Sequence, residues 1–131
     1  MFSHVTLGVA DFDRAYAYYA PLCGLLGLEQ SFKGTLLNSL WAGWRTPGVA
    51  RPLFAITEPF EGEFAPGNGN MVAFLAESRE QVDRFHALAL RLGGKDEGAP
   101  ALRPQYHENY YGAYLRDTEG NKIAIACHDA P

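Results

Sequence analysis

Apolar and polar positions alternate strictly at the start of the chain. Val5, Leu7 and Val9 are apolar, and His4, Thr6 and Gly8 lie between them. A period of two predicts a strand with two unlike faces. Asp11 follows as a helix N-cap, and the apolar period then lengthens through Ala15, Tyr18, Tyr19, Leu22, Leu25 and Leu26. That spacing predicts an amphipathic helix stopped at Gly27. Pro21 inside the pattern is expected to kink or split it. Three strand-like stretches come next, at 28–35, 38–45 and 51–57, with Pro47 and Gly48 turning the chain between the last two. Residues 58–70, EPFEGEFAPGNGN, are rich in Gly, Pro and acid and read as a connector.

After the connector the opening pattern returns. MVAFLAESREQVDRFHALALRLGG lies over HVTLGVADFDRAYAYYAPLCGLLG without a gap, setting Met71 over His4. Val72 falls on Val5, Phe74 on Leu7, Ser78 on Asp11, Phe85 on Tyr18, His86 on Tyr19 and Gly94 on Gly27. Strand face, helix cap, helix face and stop recur together, so the chain is two copies of one supersecondary unit. The repeats run over about 2–58 and 70–128, joined by 59–69, in a single domain. Each unit reads as strand, helix, three strands. In the second, 95–106 is a broken strand or a loop, because Gly98, Pro100 and Pro104 interrupt it. The clearest strands are 110–116 and 122–127, around the turn Asp117-Thr118-Glu119-Gly120.

Composition narrows the function. The chain has 131 residues and a net charge of −4, with no cluster or stripe of Lys and Arg, which speaks against a nucleic-acid partner. No apolar run approaches the length of a membrane helix, and MFSHVTLGVAD lacks the pattern of a signal peptide. A cytoplasmic protein is expected, with Cys23 and Cys127 as buried thiols. Seven Tyr, eight Phe and two Trp are enough to build a core and still line a binding surface.

The repeated unit opens with His-x-x-Leu-x-Val-x-Asp and closes with Asp-x-x-Gly-Asn-x-Ile. It resembles the vicinal-oxygen-chelate superfamily, which holds glyoxalase, bleomycin-resistance proteins, fosfomycin-resistance enzymes and extradiol dioxygenases. NYYGAYLRDTEGNKIAIACH resembles the C-terminal end of its small bacterial members. The resemblance implies an α+β fold of two βαβββ units, forming a curved eight-stranded mixed sheet with a central cleft, and a homodimer. In the metal-using members, His and Glu ligands on the first and last strands of each unit hold a divalent ion, which acts as a Lewis acid or binds oxygen.

Carried onto this chain, those positions fall at His4, Met71, Ala55 and Ala124. One imidazole, one thioether and two alanines do not make a site for a borderline or hard divalent ion. No metal ligand set and no cofactor are therefore expected. A divalent metal would need recruits such as His107 or His128, and their spacing suggests none.

His4 shares a strand face with Thr6, opposite the apolar residues, and should face the cleft. It reads as an acid–base or substrate-binding group, or as a relic ligand bonded to its neighbours. Tyr106, His107, Tyr110 and Tyr111 crowd the entrance of the penultimate strand. They can orient a polar or aromatic ligand with His107 as base, or form a surface cluster. Tyr110 and Tyr111 point to opposite faces, so only one faces the cleft. Trp41 and Trp44 likewise face opposite ways. Arg103 and Arg51 can clamp an anion, or simply be solvated. His86 reads as structural, and Glu58, Glu61 and Glu63 as a solvated loop.

These readings favour a glyoxalase/bleomycin-resistance-like protein that binds a small, partly aromatic molecule without the usual metal. The binding set is Thr6, Trp41, Met71, Arg103, Tyr106, Tyr110, Tyr111 and Ala124, with His4 and His107 as candidate catalytic groups. Two alternatives stand beside it. One is a metal-dependent lyase, isomerase or dioxygenase-like enzyme with unconventional ligands. The other is a dimeric interaction protein with a vestigial cleft.

Overall fold

The computed structural model describes all 131 residues, which divide into two compact units, Met1–Gly67 and Asn68–Pro131. The first contains β1 (His4–Gly8), α1 (Phe12–Leu25), β2 (Glu29–Leu36), β3 (Ser39–Arg45) and β4 (Leu53–Thr57). The second repeats the order with β5 (Val72–Leu75), α2 (Arg79–Arg91), β6 (Lys95–Leu102), β7 (Tyr111–Arg116) and β8 (Lys122–Cys127). The eight strands are hydrogen-bonded as two mixed four-stranded sheets, ordered β1-β4-β3-β2 and β5-β8-β7-β6. In each, the first strand runs parallel to the last and the other pairs are antiparallel.

The caps form at the aligned positions. Asp11 accepts the Arg14 N–H at 3.1 Å, and Ser78 accepts the Gln81 N–H at 3.1 Å. Gly27 ends α1 at φ 74°. In the second unit the left-handed residue is Gly93, at φ 103°, one position before the aligned Gly94. Pro21 does not split α1, which runs unbroken over Phe12–Leu25. Pro21 and Ala17, whose carbonyl loses its helical donor, are both exposed, which leaves that carbonyl accessible to water.

Each helix covers one face of its own sheet. In the first unit Phe12, Ala15, Tyr18, Tyr19, Leu22 and Cys23 are buried with Leu7, Ala42, Trp44, Phe54 and Ile56. Tyr19 meets Phe54 at 5.3 Å between ring centroids, and Trp44 stacks between Tyr16 and Phe54. In the second, Val82, Phe85 and Ala89 are buried with Ala113, Leu115, Ile123 and Ile125. Both cysteines are free and buried, and burial pushes the Cys23 thiol far up.

The segment 95–106 resolves into β6 with two register shifts, between Asp96 and Gly98 and between Gly98 and Ala101. Bulges let the strand carry Gly98 and Pro100 without losing β7. The turn after β7 is held by the buried Asp117, whose Oδ1 accepts the N–H groups of Glu119 at 2.8 Å and Asn121 at 2.9 Å. The connector is less free than its composition predicts. Glu58 Oε1 accepts the Leu40 N–H at 2.7 Å, and the Phe64 ring lies on Gly8. No helix is long and apolar enough to cross a membrane.

Candidate functional site

The sheet face opposite each helix carries several of the residues singled out in the sequence. Strand alternation puts His4, Thr6 and Gly8 on that face in the first unit. Thr6 pairs with Ala55, Gly43 with Ala55 from the other side, and Trp41 with Thr57. Phe32 of β2 pairs with Gly43, and its ring lies flat across that glycine, 4.0 Å between centroids from Trp41. A Cβ on Gly43 would stand 2.4 Å from the Phe32 ring. The face is therefore an apolar aromatic surface laid over small residues. Trp44 turns the other way into the helix packing, as alternation requires.

His4 is exposed, and its Nδ1 shares a hydrogen with Ser3 Oγ at 2.9 Å. Beside it the ligand position carries Ala55, buried and without a donor atom. In the second unit Met71 is 44% exposed and Ala124 is fully buried between Ala73 and Tyr114. No three or more His, Cys, Asp and Glu side chains converge anywhere as a potential metal centre. The side chains at the four family positions do not fit the family's divalent ion.

The side chains gathered on the second sheet's open face are phenols. Tyr114 lies on the open face between Ala124 and Gly98. Its hydroxyl is 3.1 Å from that of Tyr110, and it also hydrogen-bonds Tyr106. The Tyr106 and Tyr110 rings meet at 4.8 Å. Tyr110 folds across Gly112, where a Cβ would stand 2.8 Å from its ring and 3.2 Å from the Ile125 carbonyl oxygen. Glycine is required there by this close approach.

Arg103 completes the layer. Its Nε donates to the Gly112 carbonyl at 3.3 Å and its Nη2 to the Ala99 carbonyl at 2.8 Å, with the guanidinium 4.9 Å from the centre of the Tyr114 ring. The Lys122 ammonium stands 5.6 Å from the same centre. Burial, and then the bond to Tyr110, hold the Tyr114 hydroxyl above the usual phenol range. The bond to Tyr114 does the same for Tyr106. Both are hydrogen-bearing phenols at neutral pH.

The structure separates the adjacent pair Tyr110 and Tyr111. Tyr111, expected among the binding residues, points to the helix side, where its hydroxyl donates to Asp83 Oδ1 at 2.6 Å and its ring lies beneath Arg79. That bond raises its pKa. His107 stands behind Tyr110, with ring centroids 5.8 Å apart. Its Nδ1 accepts the Asn109 N–H at 3.1 Å, and its Nε2 is 2.8 Å from Nδ1 of His128. Both nitrogens are thus engaged in hydrogen bonds that hold the loop. Pairing of His107 with His128 has no counterpart in their sequence spacing.

Tyr114, Lys122 and Gly112 were not singled out in the sequence, and Gly98 reads there only as a strand breaker. Alternation from Tyr110 through Gly112 would have reached Tyr114. The roles of Lys122 and Gly98 depend on neighbours across the sheet and have no local signal. Arg51 donates to the adjacent Ala50 carbonyl and joins no cluster.

No family model and no curated protein matches the chain. Solved structures do. A glyoxalase/bleomycin resistance protein from Albidiferax ferrireducens is 36% identical, with a TM-score of 0.82, over 97% of this chain and 98% of that one. A glyoxalase/bleomycin resistance protein/dioxygenase family enzyme from Burkholderia phytofirmans is 20% identical, with a TM-score of 0.70, over 97% of this chain and 98% of that one. The fosfomycin resistance protein FosX from Listeria monocytogenes, solved with Mn(II) and a dihydroxypropylphosphonic acid, is 20% identical, with a TM-score of 0.68, over 98% of this chain and 92% of that one. The last two show the same fold. The repeat of strand, helix and three strands, read with the first of these similarities, establishes that the chain belongs to the glyoxalase/bleomycin resistance protein family, of the vicinal-oxygen-chelate fold.

Proposed function

We propose that this protein is a metal-independent member of its family that binds a small, partly aromatic molecule on the open face of its second sheet. The observation that carries the reading is the phenol cluster of Tyr106, Tyr110 and Tyr114, built beside Ala124 where the metal-using members place a carboxylate. Flat rings supply apolar contact, and hydroxyls supply directed hydrogen bonds. Binding is favoured over catalysis by His107, because both of its ring nitrogens are engaged. His4 remains the exposed imidazole available for proton transfer. Thr6 and Trp41 offer a second, apolar surface in the first unit. Assembly as a homodimer in the cytoplasm belongs to the same proposal, and light scattering on the purified protein tests the dimer.

Two measurements test the binding reading. Elemental analysis of the purified protein should find no stoichiometric Zn, Ni, Mn or Fe. Saturation-transfer NMR with neutral fragments such as benzamide and indole should show contact that Tyr110→Phe and Tyr114→Phe reduce. Stoichiometric metal lost on His4→Ala would overturn the reading and restore a lyase, isomerase or dioxygenase reaction.

A further inference from the structure

Three of the eleven Lys and Arg side chains form salt bridges, Arg14 with Asp11 at 4.0 Å among them. Arg45 meets Glu29 at 3.0 Å, Arg116 meets Glu97 at 3.0 Å, and His86 meets Asp96 at 2.9 Å. Arg103 and Lys122 form no salt bridge, although the chain carries a net charge of −4. Both stand beside one ring, that of Tyr114. Asp96 senses the charge of Arg103, but its Oδ1 is already taken by His86 and by the Gly98 N–H at 3.0 Å. Backbone carbonyls hold Arg103 through Nε and Nη2, fixing its plane and leaving Nη1 without a protein acceptor.

Two cations without a salt-bridge partner, beside hydrogen-bearing phenols, form a site rich in positive charge and in hydrogen-bond donors. In a partly buried setting such an arrangement favours an anion that accepts several hydrogen bonds at once. A planar carboxylate on a flat body matches both the donors and the aromatic floor. A neutral ligand would leave the two charges unmatched.

We propose that the Tyr114 cluster is a carboxylate site, taking the acid group of a flat organic acid between the phenol hydroxyls, Arg103 and Lys122. This rests on the reading of that face as the ligand-binding surface, and it adds the charge and chemical class of the ligand. The bonds among Tyr106, Tyr110 and Tyr114 use two of their three hydrogens and leave one phenol to donate to the ligand, while Lys122 supplies charge without fixed direction. The long stem of Lys122 allows it to follow ligands of different size.

The test is calorimetric titration of the full chain with benzoate and with its neutral counterpart benzamide, at low ionic strength. Benzoate should bind at least about tenfold more tightly. Lys122→Met, which keeps the apolar stem, should remove most of that preference with an unchanged circular dichroism spectrum. Arg103→Gln should do the same. Because Arg103 also fastens the loop, Lys122→Met carries the test if Arg103→Gln unfolds. Equal binding of benzoate and benzamide would overturn the carboxylate assignment and leave the proposed function standing. Binding of neither would overturn both. A preference undiminished in Lys122→Met would remove the anion from this cluster.

Discussion

The two halves of this protein share a fold and differ most in one connection. In the first unit β2 and β3 are joined by Leu37 and Asn38 alone, both left-handed at φ 51° and 65°. In the second, the equivalent strands β6 and β7 are joined by residues 103–110, which supply Arg103, Tyr106, His107 and Tyr110. The tight turn only reverses the chain. The longer loop is fastened by backbone bonds, Arg103 N–H to the Tyr110 carbonyl at 2.8 Å and Tyr106 N–H to the Arg103 carbonyl at 3.1 Å. It lies back over its own sheet.

The faces beneath differ in the same sense. Beside Ala55 the first unit has Gly43, crossed by Phe32, and one pair along it has Trp41. Beside Ala124 the second has Tyr114, and one pair along it has Gly112, crossed by Tyr110. Glycine and aromatic have exchanged places. One unit presents the Phe32 and Trp41 rings, with His4 and Thr6 on its edge strand, and the other presents hydroxyls and cations. A repeat can thus hold its helix-facing core constant while its other face specialises, since alternation makes the two faces nearly independent.

The largest effects should come where the units are alike. Phe54→Ala in the first core and Phe85→Ala in the second should each cost about 3–5 kcal/mol, read from urea unfolding. A far smaller loss in one unit would show that the two cores are not equivalent. Next come the crossed glycines. Gly43→Ala and Gly112→Ala should each cost about 1–3 kcal/mol through overpacking. Only Gly112→Ala should also abolish fragment binding, because it lifts Tyr110 from the sheet.

The adjacent tyrosines sharpen the contrast further. Tyr111→Phe should cost about 0.5–1.5 kcal/mol of stability, by losing its bond to Asp83, and leave binding unchanged. Tyr110→Phe should weaken binding with little change in unfolding. An exchange of these outcomes would mean that the loop carries its site on the helix side.

The smallest effect concerns pH. His86 takes the place of Tyr19 in the repeat and binds Asp96, whose carboxyl is held below the usual range first by that bond and then by the Gly98 N–H. A carboxyl depressed in the folded state stabilises the fold above its unfolded pKa of about 4, and this contribution is lost as pH falls through the folded value. Asp96→Asn should therefore flatten the acid limb of stability against pH. Parallel urea-midpoint curves from pH 7 to 3 would refute the linkage.

Much of this was legible in the residues. The repeat, both N-caps, the Gly27 stop, the strand 122–127 and the opposition of Tyr110 to Tyr111 follow from local periodicity and capping chemistry. Pro21 does not split its helix, because its position faces water, which propensity does not register. Gly94 misled because the repeat aligns sequences, whereas a helix stops where a left-handed residue fits. Tyr114 carries the same period-two signal as any other aromatic in a strand.

The sequence by itself determined the two units, the two faces of each sheet, and the loss of donor atoms at Ala55 and Ala124. These depend on residue type and on spacing along the chain. Only the tertiary structure decided that Arg103, Tyr106, Tyr110, Tyr114 and Lys122 share one surface, and that His107 meets His128. Those contacts depend on strand register and on how a loop folds back over its sheet. Register is set by the summed packing of the face beneath. No single residue of the cluster encodes it.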